Sequence, residues 1–191
     1  QNSTISYVAN AQPNTSQLLD PDTKAVIGTV TSTGVTDGTV DFPTAELQSL
    51  LAQLESEGYN TSNLQTQAEI DAALGFTDGS TYGTGGATYT ATVPHRTVTV
   101  DPSDPKSAGD AIDGSTDTYQ GGVSQTDLNK TVTRTLQLDK YPTYNSDGTV
   151  SYLTKTVAQA VSFDRTATVD AVTGEVLSYS DWANADSTTT F

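Results

Sequence analysis

Two spacings of apolar residues organise the chain. Strand-like alternation opens it at Thr4-Ile5-Ser6-Tyr7-Val8-Ala9, and a polar stretch from Asn10 to Thr23 reads as a loop. A second β-branched run follows at Ala25-Val26-Ile27-Gly28-Thr29-Val30-Thr31, so the opening predicts a hairpin with a long connection. The period then changes. Leu47, Leu50, Leu51 and Leu54 stand at i, i+3, i+4 and i+7, the spacing of one helical stripe, with Gln48, Gln53 and Glu55 left for solvent. Thr44 suits the N-cap, Glu46 the first turn and Gly58 a left-handed stop. Thr66 and Glu69 have the spacing of a capping box, predicting a shorter helix with Ile70 and Leu74 on its buried side and Gly75 at its end. Alternation returns over 87–93 and, after Pro94, over 97–100.

Two strands, a packing helix and a returning strand form an α+β unit, whose compact solution is a β-grasp sheet with the helix across one face. Pairing of its first and last strands in parallel is taken as its topology, which the pattern itself does not show. From Asp101 to Asp127 the composition shifts to Asp, Ser, Gly and Pro, which reads as a linker or long loop. Strands follow at 131–138, 155–163, 166–169 and 175–179, with turns at Asn145-Ser146-Asp147-Gly148 and Thr173-Gly174. The expected architecture is therefore two tandem modules in an elongated arrangement. A β-grasp-like domain occupies 1–102, a linker or long loop 103–128, and a β-rich second domain 129–191. The second is either a β-rich module or a grasp-like unit continuing past Phe191.

Composition changes the picture in two ways. Of 191 residues 34% are hydrophobic, low for a globular protein, yet their alternation argues for a folded strand-rich chain with a polar surface. Eight basic residues against 23 acidic ones give a net charge of −15. That charge leaves no electrostatic route to nucleic acid and disfavours anionic membranes. It suits solubility outside the cell and would hold tandem copies apart. With no Cys there is no disulfide, thiolate catalysis or Cys-ligated metal. No apolar run reaches membrane-spanning length, and no export signal is visible; an anchor or signal is expected outside this stretch.

In the second half, Lys130-Thr131-Val132-Thr133-Arg134-Thr135, the run 161–170 (VSFDRTATVD), Val172-Thr173-Gly174-Glu175-Val176 and Asp181-Trp182 fall in a recognisable order and spacing. Upstream, the run 89–100 (YTATVPHRTVTV) has the form of a strand before an inter-domain junction. Together these resemble the mucus-binding protein repeat of lactic-acid bacteria. The resemblance implies two subdomains of ubiquitin-like, β-grasp character. It also implies a non-catalytic adhesin that attaches to mucin or other host glycoproteins and is anchored to the cell wall beside neighbouring repeats.

Candidate chemistry is sparse. His95, the sole His, lies in extended sequence and reads as structural or exposed rather than as a general base. Paired carboxylates for glycoside hydrolysis would need a cleft with aromatic platforms, and Trp182, the sole Trp, reads as a core anchor before a sugar platform. No cofactor is required. Asp110, Asp113 and Asp117, around Gly114, offer oxygen ligands for a structural Ca²⁺, against the alternative of a solvated linker. Nine Tyr against four Phe draw attention to Tyr82 and Tyr89 near the junction and to Tyr141 and Tyr144 in a loop of the second half as contact residues. Three functions remain open. One is multivalent mucin-glycan adhesion, another is immunoglobulin or other host-protein binding through the helix face and the edge strand at Ala25–Thr31, and the third is a passive spacer.

Overall fold

The computed structural model describes residues 10–40, 44–75, 81–83 and 85–186. The strand expected at 4–9 lies outside them. The chain divides into two compact units, the first comprising Gln1–Val98, Ala111–Thr118 and Asp170–Gly174, the second Thr99–Asp110, Tyr119–Val169 and Glu175–Phe191.

In the first unit a strand occupies most of the stretch read as a polar loop. Strand β1 (Ala11–Leu19) pairs antiparallel with β2 (Val26–Val35). Burial alternates along β1, but its inward positions are Asn14, Ser16 and Leu18, followed by Asp20 just beyond the strand. Two polar side chains in three inward places hide the period from any hydrophobicity test. Asn14 compensates in part by accepting the Ala87 amide at 2.7 Å through its side-chain oxygen.

Helix α1 (Thr44–Ser56) lays Leu47, Leu51 and Leu54 into a core with Leu18, Val30, Ile70, Leu74, Ala91 and Val93. After the helix, Gly58 takes a left-handed backbone with φ +95°, and a Cβ there would lie 2.3 Å from the Ala171 carbonyl oxygen. Conformation and close approach both demand glycine at this stop. Helix α2 (Gln67–Leu74) has the expected reciprocal capping box between Thr66 and Glu69, ends at a left-handed Gly75, and buries Ile70 and Leu74. Strand β3 (Ala87–Thr92) then returns parallel to β1, giving a sheet of order β2-β1-β3. The chain leaves this unit along β4 (Thr97–Val100).

The segment read as a linker or long loop carries backbone hydrogen bonds of its own. Within the second unit Lys106 donates its amide to Val123 at 2.9 Å, Gly109 to Tyr119 at 2.8 Å and Tyr119 to Asp110 at 3.0 Å. Tyr119, Val123 and Leu128 are buried. A short helix α3 (Gln125–Leu128) leads into β5 (Asn129–Tyr144), which pairs antiparallel with β6 (Val150–Asp164) in a long ribbon turning at the expected 145–148. Strands β7 (Ala167–Asp170) and β8 (Val176–Tyr179) form the next hairpin, and β9 (Ala183–Asn184) adds to β6. The sheet orders are β4-β7-β8 and β5-β6-β9. No helix of the described residues is long and apolar enough to cross a membrane.

Candidate functional site

Two clusters stand out, one buried and polar, the other exposed and aromatic.

The buried one, in the first unit, is centred on His95, whose side chain is 9% exposed. Its Nε2 lies 2.8 Å from Asp20 Oδ2, and its Nδ1 lies 2.6 Å from Asp170 Oδ2. Each Asp heads a tight turn of the same local form. Asp20 Oδ1 accepts the amides of Asp22 and Thr23 and the Thr23 hydroxyl, while Lys24 takes φ +60°. Asp170 Oδ1 accepts the amides of Val172 and Thr173, while Gly174 takes φ +72°. Tyr59 donates its hydroxyl to Asp20 at 3.0 Å and sets its ring edge-on to the imidazole, centroids 5.2 Å apart.

A carboxylate on each ring nitrogen requires both to donate, so the ring is held as imidazolium. Burial opposes the charge on His95, but the hydrogen bonds and charges of Asp170 and Asp20 outweigh it and raise its pKa. Burial likewise pushes the Asp20 carboxyl up, yet hydrogen bonds from Thr23, His95 and Tyr59 hold it well below the usual carboxylate range. Tyr59 is pushed up to about 12 by burial and by its bond to Asp20. An imidazolium capped at both nitrogens has no lone pair for a general base. His95 is a structural centre, as expected, but it is not exposed.

The exposed cluster lies on the β5–β6 ribbon. Pro142 faces Tyr152 and Tyr144 faces Val150 across the ladder, so all four side chains share one face near the ribbon's end. Tyr144 is 80% exposed and Tyr152 64%. Past the register shift, Val132, Leu136, Leu138 and Val157 are exposed as well. Rigid aromatic rings on a solvent-facing strand pair are suited to stacking on apolar sugar faces or on a partner's side chains.

Comparison with known families decides how the second half is placed. Residues 123–191 match the Muc B2-like domain. The resemblance read in the second half is thus borne out there, and the Muc B2-like stretch contains the whole β5–β6 ribbon. Among solved structures, the type 2 repeat of the mucus binding protein MUB from Lactobacillus reuteri aligns at 24% identity. The alignment covers 90% of this chain and 74% of that one, with a TM-score of 0.45. Mub-RV aligns at 26% identity over 91% of this chain and 73% of that one, with a TM-score of 0.49. No curated protein matches.

Of the residues singled out from sequence, Tyr144 stands largely in solvent within the Muc B2-like stretch. It and Tyr141 belong to β5 rather than to a loop. Tyr82 is a correction: it is 3% exposed, lies over Gly34 and hydrogen-bonds the Ser32 hydroxyl, so it is a packing residue of the first unit. Tyr89 is half-buried and packs against the same core. Asp110 accepts the Ser107 amide, Asp117 accepts the Thr118 amide, and the Asp113 carbonyl accepts from Arg96. Among the described residues one group could offer a metal three ligands within reach of one another, Asp20, Asp22 and His95. An ion there would have to displace a carboxylate from a ring nitrogen of His95. Trp182 is half-buried, with Lys130 and Arg165 against its ring.

Asp20, Asp170 and Tyr152 are not among the residues singled out from sequence. A signal for the first two was present: Asp20-Pro21-Asp22-Thr23-Lys24 and Asp170-Ala171-Val172-Thr173-Gly174 repeat Asp and Thr at the same spacing, the first directly after a strand and the second from a strand's last residue. Tyr152 sits three residues before the strand expected at 155–163, and lengthening that strand would have found it.

Proposed function

We propose that this chain is a non-catalytic adhesin repeat, displayed outside the cell, that attaches to mucus glycoproteins by weak contacts multiplied over an array. The observation that carries the reading is the match of 123–191 to the Muc B2-like domain, a stretch that also holds the exposed Tyr144–Tyr152 face. The MUB repeat, named as part of a mucus binding protein, supplies the partner class. Two grasp-like modules in tandem, anchored to the cell wall through neighbouring sequence, are the architecture this reading takes. The capped imidazole argues against His95 as a base, and the acidic surface suits an extended extracellular array.

An exposed aromatic face gives weak single contacts, of about millimolar affinity, and an array gains by avidity. The test is retention on immobilised mucin of one copy and of a tandem array, before and after enzymatic removal of glycans. Stronger retention of the array, lost on deglycosylation, is expected; equal retention of one copy and several would refute it. A second reading, immunoglobulin or other host-protein binding, is favoured by β2, which among the described residues is an edge strand of its sheet with Val26 and Val35 half in solvent. Its signature is binding to immunoglobulin that survives deglycosylation.

A further inference from the structure

Five of the eight basic residues fall between Lys130 and Arg165, in a chain that is otherwise strongly acidic. Two of them, with no carboxylate ion-paired to them among the described residues, gather around aromatic rings of the second unit. The Lys130 ammonium lies 4.0 Å from the centre of the Trp182 ring and 5.6 Å from that of Phe163. The Arg165 guanidinium carbon lies 3.7 Å from the centre of the Tyr179 ring and 4.5 Å from that of Trp182. Arg165 Nε donates to the Asp127 carbonyl at 2.9 Å, which fixes the guanidinium, while its terminal nitrogens bond no group among the described residues. Tyr179 is itself anchored by its hydroxyl to the Gly122 carbonyl. Asp127 turns its carboxylate to the Ser124 amide and hydroxyl, whose hydrogen bonds are the first cause of its lowered pKa, with the Arg165 charge adding to the same effect. Beside Lys130 a groove of about 330 Å³ is lined by Gln125, Thr126, Asn129, Thr131, Ser162 and Phe163.

In a chain with 23 acidic side chains, two cations with no carboxylate at ion-pair distance among the described residues are poised for an external one. Cation–π contact with Trp182 holds them in place without neutralising them. Amide and hydroxyl side chains along the groove match sugar hydroxyls, and the ring of Phe163 offers an apolar wall. We infer that Lys130 and Arg165, braced on Trp182 and Tyr179, form a binding site for an acidic saccharide, its sulfate or carboxylate held by the two cations and its ring lying in the Gln125–Asn129 groove. This deepens the mucus-glycoprotein reading and rests on it for the source of the ligand.

Trp182 is the sole Trp of the chain, so its fluorescence reports this site alone. The full chain is titrated with N-acetylglucosamine 6-sulfate and with sialyllactose, and with N-acetylglucosamine and lactose as neutral counterparts. A saturable change with one or both acidic sugars, and none with the neutral ones, is expected; which acid responds identifies the anion. Lys130→Gln, at an exposed position, should weaken that response about tenfold, the worth of one charge-assisted contact. Lys106→Gln should leave it unchanged. Equal responses to acidic and neutral sugars, or none to any, would overturn the site. Mucin retention is measured in parallel. Retention without a Trp182 response sinks the site alone, whereas a Trp182 response without retention keeps the site and sinks the mucin reading.

Discussion

Replacing His95 with Ala removes the cation between two buried carboxylates. The residue's side chain is 9% exposed, and those of Asp20 and Asp170 are 8% and 7%. Breaking a buried ion pair from one side typically costs about 3–5 kcal/mol, because an uncompensated charge stays behind. Here two stay behind, so the upper half of that range is expected. For a chain of this size the melting temperature falls by about 2–4 °C per kcal/mol, which puts the loss at roughly 8–20 °C. The pH dependence has a definite sign. His95 has a raised pKa in the folded state. Its contribution is therefore complete below the unfolded value of about 6.5 and disappears as pH rises through the folded value. Asp20 has a lowered folded pKa, so its contribution is present above about 3.9 and is lost as pH falls through the folded value. Stability should therefore peak between about pH 4 and 6.5. The assay is thermal melting followed by circular dichroism from pH 5 to 9, on wild type and His95→Ala. As His95 is the sole His, the difference between the two curves isolates the imidazole from the titrating amino terminus. Wild type should lose stability toward pH 9 more steeply than the variant. Parallel curves, or a variant within about 1 kcal/mol of wild type at pH 5.5, would refute the imidazolium bridge.

At Gly34 a Cβ would lie 2.1 Å from the Tyr82 ring, so Gly34→Val must expel that ring and should destabilise by about 1–3 kcal/mol in a denaturant melt. Tyr82→Phe removes only the hydroxyl bonded to Ser32, should cost about 1 kcal/mol, and should leave mucin retention untouched. Tyr144→Ala and Tyr152→Ala change exposed rings, so each should alter stability by less than about 0.5 kcal/mol. In an array either change should lower mucin retention severalfold, because a small loss per copy is multiplied.

How much could be read in advance depended on whether the sequence signal was local. Helix α2 was legible to its ends because Thr66, Glu69 and Gly75 act on their own backbone. The α1 stripe was legible because four leucines carry it. The β5–β6 turn was legible because Asn145 and Asp147 hold it by side-chain bonds within the turn. Strand β1 was not, since its inward side carries Asn14 and Ser16, whose burial only the tertiary structure supplies. Burial within the segment between Asp101 and Asp127 was hidden for a related reason. Isolated apolar residues such as Ile112, Tyr119 and Val123 have no period, yet each is buried. The His95 centre joins residues 75 positions apart on either side, which no spacing rule reaches.

Charge raises a further consequence that ionic strength can test. A chain of −15 repels acidic mucin as a whole, while Lys130 and Arg165 attract an acid group at contact distance. These two effects have different ranges. At about 10 mM salt the screening length is roughly 30 Å, comparable with a small domain, so nearly the entire net charge opposes approach. At about 150 mM it falls to roughly 8 Å, so distant carboxylates are screened and the local cations are felt with little opposition. At about 1 M it is roughly 3 Å, and even the contact is weakened. Retention on mucin should therefore rise from low to physiological salt and fall again at high salt. Lys130→Gln should flatten the falling limb and leave the rising one. A steady decline from the lowest salt upward would mean that cations govern approach as well as contact. A steady rise would mean that stacking on the Tyr144–Tyr152 face carries binding without them.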